Sequence, residues 1–147
     1  RIVLTPGART LVATMTAHGG YCALVSGGFT FFTSRVAAAV GFQENRANTL
    51  EMDGGRLTGR VVPPILGRAA KLETLEHIRQ DRGLATADCL AVGDGANDLA
   101  MITAAGLGVA FRAKPIVAAE ADADITHGDL TALLYLQGFG YDEFAHD

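Results

Sequence analysis

The sequence predicts an α/β fold with a parallel sheet, helices on both of its faces and one small antiparallel hairpin. Apolar segments of strand length alternate along the chain with segments of helical period, which is typical of a parallel sheet. One stretch breaks this alternation, because β-prone residues flank the turn signal Asp53-Gly54-Gly55. With 49% hydrophobic residues, the 147-residue chain is long enough for one sizeable core, so we expect a single domain over residues 1–147.

The first half of the chain predicts two helices, one strand and the hairpin. Glycines and prolines mark most of the boundaries between them. In order, we expect a helix from Pro6 that ends before Gly19, a strand over residues 21–25, a helix over 29–40 and a hairpin over 42–62 that Pro63-Pro64 ends.

The second half predicts three short strands separated by helices. Gly83 ends the first of these helices, and the later strands are apolar runs of three to five residues. In order, we expect a helix over 68–82, a strand over 89–92, a helix to Ala104, a strand over 107–111, a helix from Lys114 or Pro115 to Ala121, a strand near Ile125, a helix over 129–137 and a frayed tail over 142–147.

Composition excludes several classes of partner. Twelve Lys and Arg against sixteen Asp and Glu give a net charge of −4, so the chain lacks the cationic excess of a nucleic-acid binder. The apolar runs are far shorter than the roughly 20 residues that span a bilayer, so no transmembrane helix is expected. Cys22 and Cys89 each lie in a short apolar run, as reduced thiols do, which favours a cytoplasmic location.

The strongest chemical signal is the string Gly93-Asp94-Gly95-Ala96-Asn97-Asp98, between a predicted strand and a predicted helix. Ligands of open parallel sheets bind at the carboxyl ends of the strands. A carboxylate at such an end is a suitable oxygen ligand for Mg²⁺, which makes Asp94 the candidate metal ligand. The alternative is an ordinary turn in which Asp98 caps the helix.

A second string, Ser26-Gly27-Gly28, also lies between a predicted strand and a predicted helix. A hydroxyl and glycine N–H groups at a helix N-terminus form a pocket for an anion. Taken alone, the string fits a plain helix cap equally well.

Lys71 lies near the start of a predicted helix, where the helix dipole disfavours a cation. A bound anion would explain its position. A solvated helix face is the simpler alternative.

The order of these strings resembles that of the haloacid dehalogenase superfamily. Further strings extend the resemblance to its phosphoserine phosphatases across essentially the whole chain; they are Pro6-Gly7-Ala8-Arg9, Ala113-Lys114-Pro115 and residues 127–138. The resemblance implies a Rossmann-like sheet. It also implies Mg²⁺-dependent hydrolysis of a small phosphomonoester, L-phosphoserine, through an aspartyl-phosphate, which is the last step of serine biosynthesis.

By this resemblance, functional roles fall on three groups of residues: phosphate or substrate binding on Ser26, Gly27, Gly28 and Asn97, magnesium binding on Asp94, and catalysis on Lys71 and Asp98. Lys71 would neutralise the phosphate and the attacking aspartate, and Asp98 would orient Lys71 or a metal-bound water. Such a set suits phosphoryl transfer, which depends mainly on positioning and on neutralising charge.

The resemblance also implies an aspartate nucleophile in an Asp-x-Asp-x-Thr string at the end of a strand. The one literal match, Asp122-Ala123-Asp124-Ile125-Thr126, follows helical sequence rather than an apolar strand, so we reject it. We expect the nucleophile strand and a cap to lie upstream of Arg1 or on a second chain. Residues 1–147 would then be the C-terminal portion of one catalytic domain.

Two other functions stay open. One is another phosphatase of the superfamily that acts on a sugar phosphate or a nucleotide, and the other is a non-catalytic fragment that binds phosphate. The histidines and cysteines lack the spacing of a zinc site, and no dinucleotide-binding glycine string follows a strand.

Overall fold

The computed structural model of the chain describes residues 4–62 and 68–145, which form two compact units. The first unit comprises residues 1–65 and 128–147, and the second comprises residues 66–127. In chain order, the helices and strands are α1 (Ala8–Ala17), β1 (Ala23–Phe29), α2 (Thr30–Val40), β2 (Glu44–Asp53), β3 (Arg56–Val62), α3 (Arg68–Asp81), β4 (Leu90–Gly93), α4 (Leu99–Ala104), β5 (Leu107–Phe111), α5 (Pro115–Glu120), β6 (Ala123–Ile125) and α6 (Ala132–Leu136).

These elements confirm the predicted α/β class, with parallel strands, surrounding helices and a hairpin. The strands form two three-stranded sheets, one in each unit. The expectation of a single domain stays a prediction. Within the described residues, none of the helices has the length and hydrophobicity needed to cross a bilayer.

The sheet of the first unit has the strand order β1-β2-β3. Strands β2 and β3 form the predicted antiparallel hairpin, with Gly54 and Gly55 at positive φ in the turn, as a tight two-residue hairpin turn requires. Strand β2 also pairs in parallel with β1, which the sequence did not predict. The predicted end of the hairpin at Pro63-Pro64 lies outside the described residues.

Strand β1 differs from its prediction in both position and length. It begins at Ala23 and continues to Phe29, so Ser26-Gly27-Gly28 lies inside the strand and not in a loop after it. Val25 pairs with Arg46 and Phe29 with Asn48, so four steps along β1 match only two along β2. The extra residues form a β-bulge, which bends the strand and interrupts its ladder.

Side chains from two helices and one strand end form a core cluster of the first unit. Ala8 and Val12, four residues apart on α1, pack with Cys22 and Val40. Residues one helical turn apart therefore form part of the buried face of α1.

The second unit contains a wholly parallel sheet in the order β4-β5-β6. Strand β5 has the predicted bounds, and β4 is shifted from its prediction by one residue. Helices α4 and α5 bury Ile102 and Val117 against Ala110 of β5. The parallel order brings the carboxyl ends of the three strands to the same edge of this sheet.

The end of the chain differs from its prediction in two respects. Helix α6 begins at Ala132 and not at Asp129, because Asp129 Oδ1 accepts hydrogen bonds from Thr131 N, at 2.8 Å, and from Thr131 Oγ1. The tail is packed rather than frayed as far as Ala145: Phe144 is buried, and Ala145 N donates to Thr14 Oγ1 at 2.8 Å.

Candidate functional site

The loop after β4 is organised around the carboxylate of Asp98. This side chain folds back toward the end of the strand, and its Oδ2 accepts hydrogen bonds from Asp94 N at 3.1 Å and Gly95 N at 3.2 Å. Asp98 is only 4% exposed. A buried carboxylate needs such donors, because burial without them has a high cost in free energy.

Lys71 provides the third partner of Asp98. It lies in the first turn of α3, and its ammonium donates to Asp98 Oδ1 at 2.5 Å. The side chains are 11% and 6% exposed, so water screens this ion pair little. The pair places a cation at the start of a helix, where the helix dipole alone would disfavour it.

The two glycines of the loop leave room for side chains of the same loop. A Cβ at Gly93 would lie 2.5 Å from Cβ, Cγ and Oδ2 of Asp98. A Cβ at Gly95 would lie 2.8 Å from Asn97 Oδ1. Gly93 is therefore needed for Asp98 to reach its position.

Asp94 has a fixed backbone and an exposed carboxylate. Its N–H donates to Asp98, and its carbonyl accepts a hydrogen bond from Lys114 N at 3.4 Å. In residues 4–62 and 68–145, no hydrogen bond or ion pair engages the Asp94 carboxylate. A carboxylate held at a strand end with free oxygen atoms can take part in ion binding.

The Asp94 carboxylate suits a magnesium ion and would be one of its ligands. Mg²⁺ binds proteins through one or two carboxylates, together with waters and substrate phosphates. Asp94 can supply one such oxygen ligand. The described part of the chain has no group of three His, Cys, Asp or Glu side chains that could hold a metal ion by themselves.

Asn97 is part of this loop and has an exposed side chain. It occupies a single 3₁₀ turn, Ala96–Asp98, that leads into α4. Its amide is thus available to a polar ligand at the same strand end that carries Asp94.

In the first unit, the bulge of β1 carries Ser26, Gly27 and Gly28. Gly28 N donates to Ser26 Oγ at 3.0 Å. The carbonyl of Gly27 accepts a hydrogen bond from Asn48 Nδ2 at 2.9 Å, and Asn48 is buried. Both ends of the peptide unit between Gly27 and Gly28 are therefore hydrogen bonded.

Asn48 was not singled out from the sequence, where it is part of a β-prone hairpin arm. A signal was available, because asparagine is depleted in strands and β2 contains both Asn45 and Asn48. What it could not reveal is the bond to Gly27, which depends on the pairing of β1 with β2.

The structure brings together the predicted residues of the second unit: Lys71, Asp94, Asn97 and Asp98 belong to or contact the loop after β4. Ser26, Gly27 and Gly28 belong to the first unit. The roles that the resemblance implies require the two groups to converge in one site, and this convergence stays a prediction.

The Asp-x-Asp-x-Thr string lies partly in β6, and its first aspartate takes part in the structure of the sheet. Asp122 precedes β6 at the amino end of the parallel sheet, and its Oδ2 accepts a hydrogen bond from Gly108 N at 2.7 Å. Asp94, in contrast, follows the carboxyl end of β4. Asp122 therefore has a local structural role that ties β6 to the start of β5.

One relative and two solved structures show what the chain is similar to. It is 46% identical over 140 residues to a phosphoserine phosphatase of Streptomyces coelicolor, covering 95% of this chain and 34% of that protein. Two solved structures, a substrate-bound phosphoserine phosphatase complex and a phospho-aspartyl intermediate analogue of phosphoserine phosphatase, superpose with a TM-score of 0.85. Each is 40% identical, and the match covers 92% of this chain and 65% of theirs.

The chain thus spans about a third of the Streptomyces protein and about two thirds of the solved chains. The family model of the haloacid dehalogenase-like hydrolases matches residues 1–103, which include Ser26, Lys71 and the Asp94 loop. The chain belongs to the haloacid dehalogenase-like hydrolase family.

Proposed function

We propose that this chain is the C-terminal portion of the catalytic domain of a cytoplasmic, Mg²⁺-dependent phosphoserine phosphatase that acts in serine biosynthesis. The reaction is hydrolysis of L-phosphoserine to serine and phosphate through an aspartyl-phosphate. The relatives that support this substrate are phosphoserine phosphatases, and the free thiol of buried Cys22 is consistent with a reducing compartment.

The observation that carries the proposal is the buried ion pair of Lys71 and Asp98 beside the exposed carboxylate of Asp94. Asp98 is engaged by an ammonium and two backbone N–H groups, so it acts by positioning Lys71 and the loop. Asp94 is left to bind a metal ion. The two carboxylates of one string thus have different roles.

Phosphoryl transfer depends on neutralising the charge of the transferred group. The Lys71 ammonium, about 4 Å from a phosphate oxygen, would contribute on the order of 4 kcal/mol at an intermediate dielectric. The Ser26 hydroxyl and the Gly27-Gly28 backbone would hold the phosphoryl oxygens, with the Gly28 N–H orienting Ser26 Oγ, and Asn97 would contact the substrate or its phosphate. Mg²⁺, when bound, supplies Lewis-acid neutralisation, with Asp94 as one of its ligands.

The nucleophile belongs, in this proposal, to a segment outside residues 1–147, on the same polypeptide or on a second chain. The Asp-x-Asp-x-Thr string within the chain does not suit the task, because Asp122 lies at the amino end of its sheet. Residues 1–147 alone would then bind phosphate without appreciable turnover.

The test is phosphate release by the whole gene product from L-phosphoserine, a sugar phosphate and a nucleoside monophosphate, each with Mg²⁺. We expect kcat/KM for phosphoserine to exceed the others by about tenfold or more, a difference of roughly 1.4 kcal/mol in transition-state binding. Lys71→Ala should lower kcat by about 10²–10³-fold, as loss of one charge-stabilising donor does. Arg60→Ala removes an exposed cation from β3 and serves as the control.

Preference for the sugar phosphate or the nucleotide would favour another phosphatase of the family. Phosphate binding without turnover of any substrate would identify a non-catalytic protein.

A further inference from the structure

We propose that Asn48 is a positioning residue for the phosphate-binding bulge of β1, and that it acts through the peptide unit between Gly27 and Gly28. The inference rests on the proposed function of Ser26 in phosphate binding. It adds a residue that neither the sequence strings nor the relatives assign.

The register of the strands shows how many residues of β1 leave the regular ladder. Only Ala47 of β2 lies between the partners of Val25 and Phe29, whereas three residues of β1 fill the same interval. The bulge therefore removes part of β1 from the regular ladder, and its backbone groups need other partners.

Asn48 supplies a hydrogen-bond partner for one backbone group of the bulge. Asn48 lies opposite Phe29, just beyond the bulge, and its Nδ2 donates to the carbonyl of Gly27 at 2.9 Å. The side chain is buried, which favours a fixed orientation, and strand β2 holds its backbone. Asn48 thus replaces a ladder hydrogen bond that the bulge has removed.

The hydrogen bond from Asn48 is connected to Ser26 through the peptide unit between Gly27 and Gly28. The carbonyl of Gly27 and the N–H of Gly28 belong to one planar peptide unit, so fixing the first fixes the direction of the second. The Gly28 N–H donates to Ser26 Oγ at 3.0 Å. Because Ser26 Oγ accepts this bond, its own hydrogen is available to donate to a phosphoryl oxygen.

Asn45 offers a matched control in the same strand. It accepts a hydrogen bond from Thr33 Oγ1 of α2 at 3.0 Å and is part-buried, and within the described residues no side-chain hydrogen bond joins it to the bulge. Asn45→Ala and Asn48→Ala each remove polar hydrogen bonding from β2, and the hydrogen bond to the bulge is removed by Asn48→Ala.

The experiment measures binding of inorganic phosphate to the whole gene product by calorimetry, with thermal melting in parallel. The variants are Asn48→Ala, Asn45→Ala, Ser26→Ala, the double variant of Asn48 and Ser26, and Asn48→Asp, which keeps the shape but replaces the donor with a carboxylate oxygen. We expect Asn48→Ala and Asn48→Asp to weaken phosphate binding about tenfold, and Asn45→Ala to change it less than about twofold.

The double variant separates positioning from a general loss of stability. If Asn48 acts through Ser26, the loss caused by Asn48→Ala should shrink to less than about threefold in the Ser26→Ala background. Equal losses in both backgrounds, or equal effects of Asn48→Ala and Asn45→Ala, would overturn the inference.

The result that would refute the proposed function differs from the results that would overturn the role of Asn48. A wild-type protein that binds phosphate and shows the Asn48 effects but does not hydrolyse phosphoserine would refute the proposed reaction and leave the inference standing. A wild-type protein that binds no phosphate would refute both.

Discussion

At the scale of single residues, the loop after β4 is shaped by contact between its glycines and its own polar side chains. A Cβ at Gly93 meets the root of the Asp98 side chain at 2.5 Å, whereas a Cβ at Gly95 meets only the far end of Asn97 at 2.8 Å. The first contact can be relieved only by moving Asp98. The second needs only a rotation of an exposed side chain.

Gly93→Ala should therefore destabilise the fold by about 1–3 kcal/mol, as overpacking of a fixed site does. Gly95→Ala should cost less than about 1 kcal/mol, since a new rotamer of Asn97 relieves the contact. Urea unfolding of both variants checks this order. Equal losses of stability would contradict the account of Gly93.

The ion pair of Lys71 and Asp98 gives a second prediction at this scale. Asp98→Ala leaves the buried ammonium of Lys71 and two backbone N–H groups without their acceptor, so we expect a loss of about 3–5 kcal/mol. Lys71→Met keeps most of the volume, and Asp98 retains its backbone donors, so this variant should lose less. Denaturant unfolding of both variants measures the difference, and a larger loss in Lys71→Met would contradict the assignment of Asp98 as the centre of the loop.

At the scale of elements, a glycine at each end of α1 has the same left-handed backbone conformation, but only the glycine at the start is closely packed. Gly7 and Gly19 both have φ of +85°. A Cβ at Gly7 would lie 2.9 Å from Asp129 Oδ1 and from Thr131 N, whereas a Cβ at Gly19 meets nothing within 4 Å. Leu130 N also donates to the carbonyl of Pro6 at 3.1 Å. The start of α1 is thus packed against the turn that precedes α6.

Gly19→Ala should cost about 1–2 kcal/mol, which is the strain of a left-handed residue alone. Gly7→Ala has the same strain and adds the contact with the Asp129 turn, so its cost should be clearly larger. Thermal unfolding of the two variants measures the difference. Equal melting temperatures would show that α1 does not pack against this turn in solution.

The elements also show how far the sequence predicts the fold. Strand β5 has its predicted bounds, because an apolar run bounded by glycine and by charge is a local signal. The bulge of β1 was missed, because it exists only in register with β2, and Asn48 lies 21 positions from Gly27. At the site, the string of Asp94 and Asp98 was visible in the sequence. For Asp98, the resemblance implied two alternative roles, which were to orient Lys71 or to orient a metal-bound water. The structure shows the contact with Lys71.

At the scale of the whole molecule, a buried thiol makes stability depend on pH. Burial raises the pKa of the Cys22 thiol above its ordinary value of 9.0, and a hydrogen bond with Thr16 partly offsets the shift. The folded chain therefore holds this proton more tightly than the unfolded chain does. The contribution is fully present below pH 9.0 and is lost as the pH rises above that value.

We expect the free energy of unfolding to fall between pH 8 and pH 10, and to fall less steeply in Cys22→Ala, which has no thiol at this site. Urea unfolding at a series of pH values measures both slopes. Identical slopes in the two proteins would contradict a proton held by buried Cys22.

The central claim is that Asp94 binds the metal ion of a phosphatase and that the Asp-x-Asp-x-Thr string does not supply its nucleophile. Asp122→Asn retains an oxygen that can accept the hydrogen bond from Gly108, so this variant should fold and serves as the matched control.

The most direct test is a Mg²⁺ titration of phosphoserine hydrolysis by the whole gene product and by its Asp94→Asn and Asp122→Asn variants. We predict that Asp94→Asn raises the Mg²⁺ concentration for half-maximal activity by about tenfold or more, because a neutral amide is a poorer ligand for this cation. Asp122→Asn should keep activity and Mg²⁺ dependence within about twofold of wild type. Unchanged Mg²⁺ dependence in Asp94→Asn, or loss of turnover in Asp122→Asn, would contradict the claim.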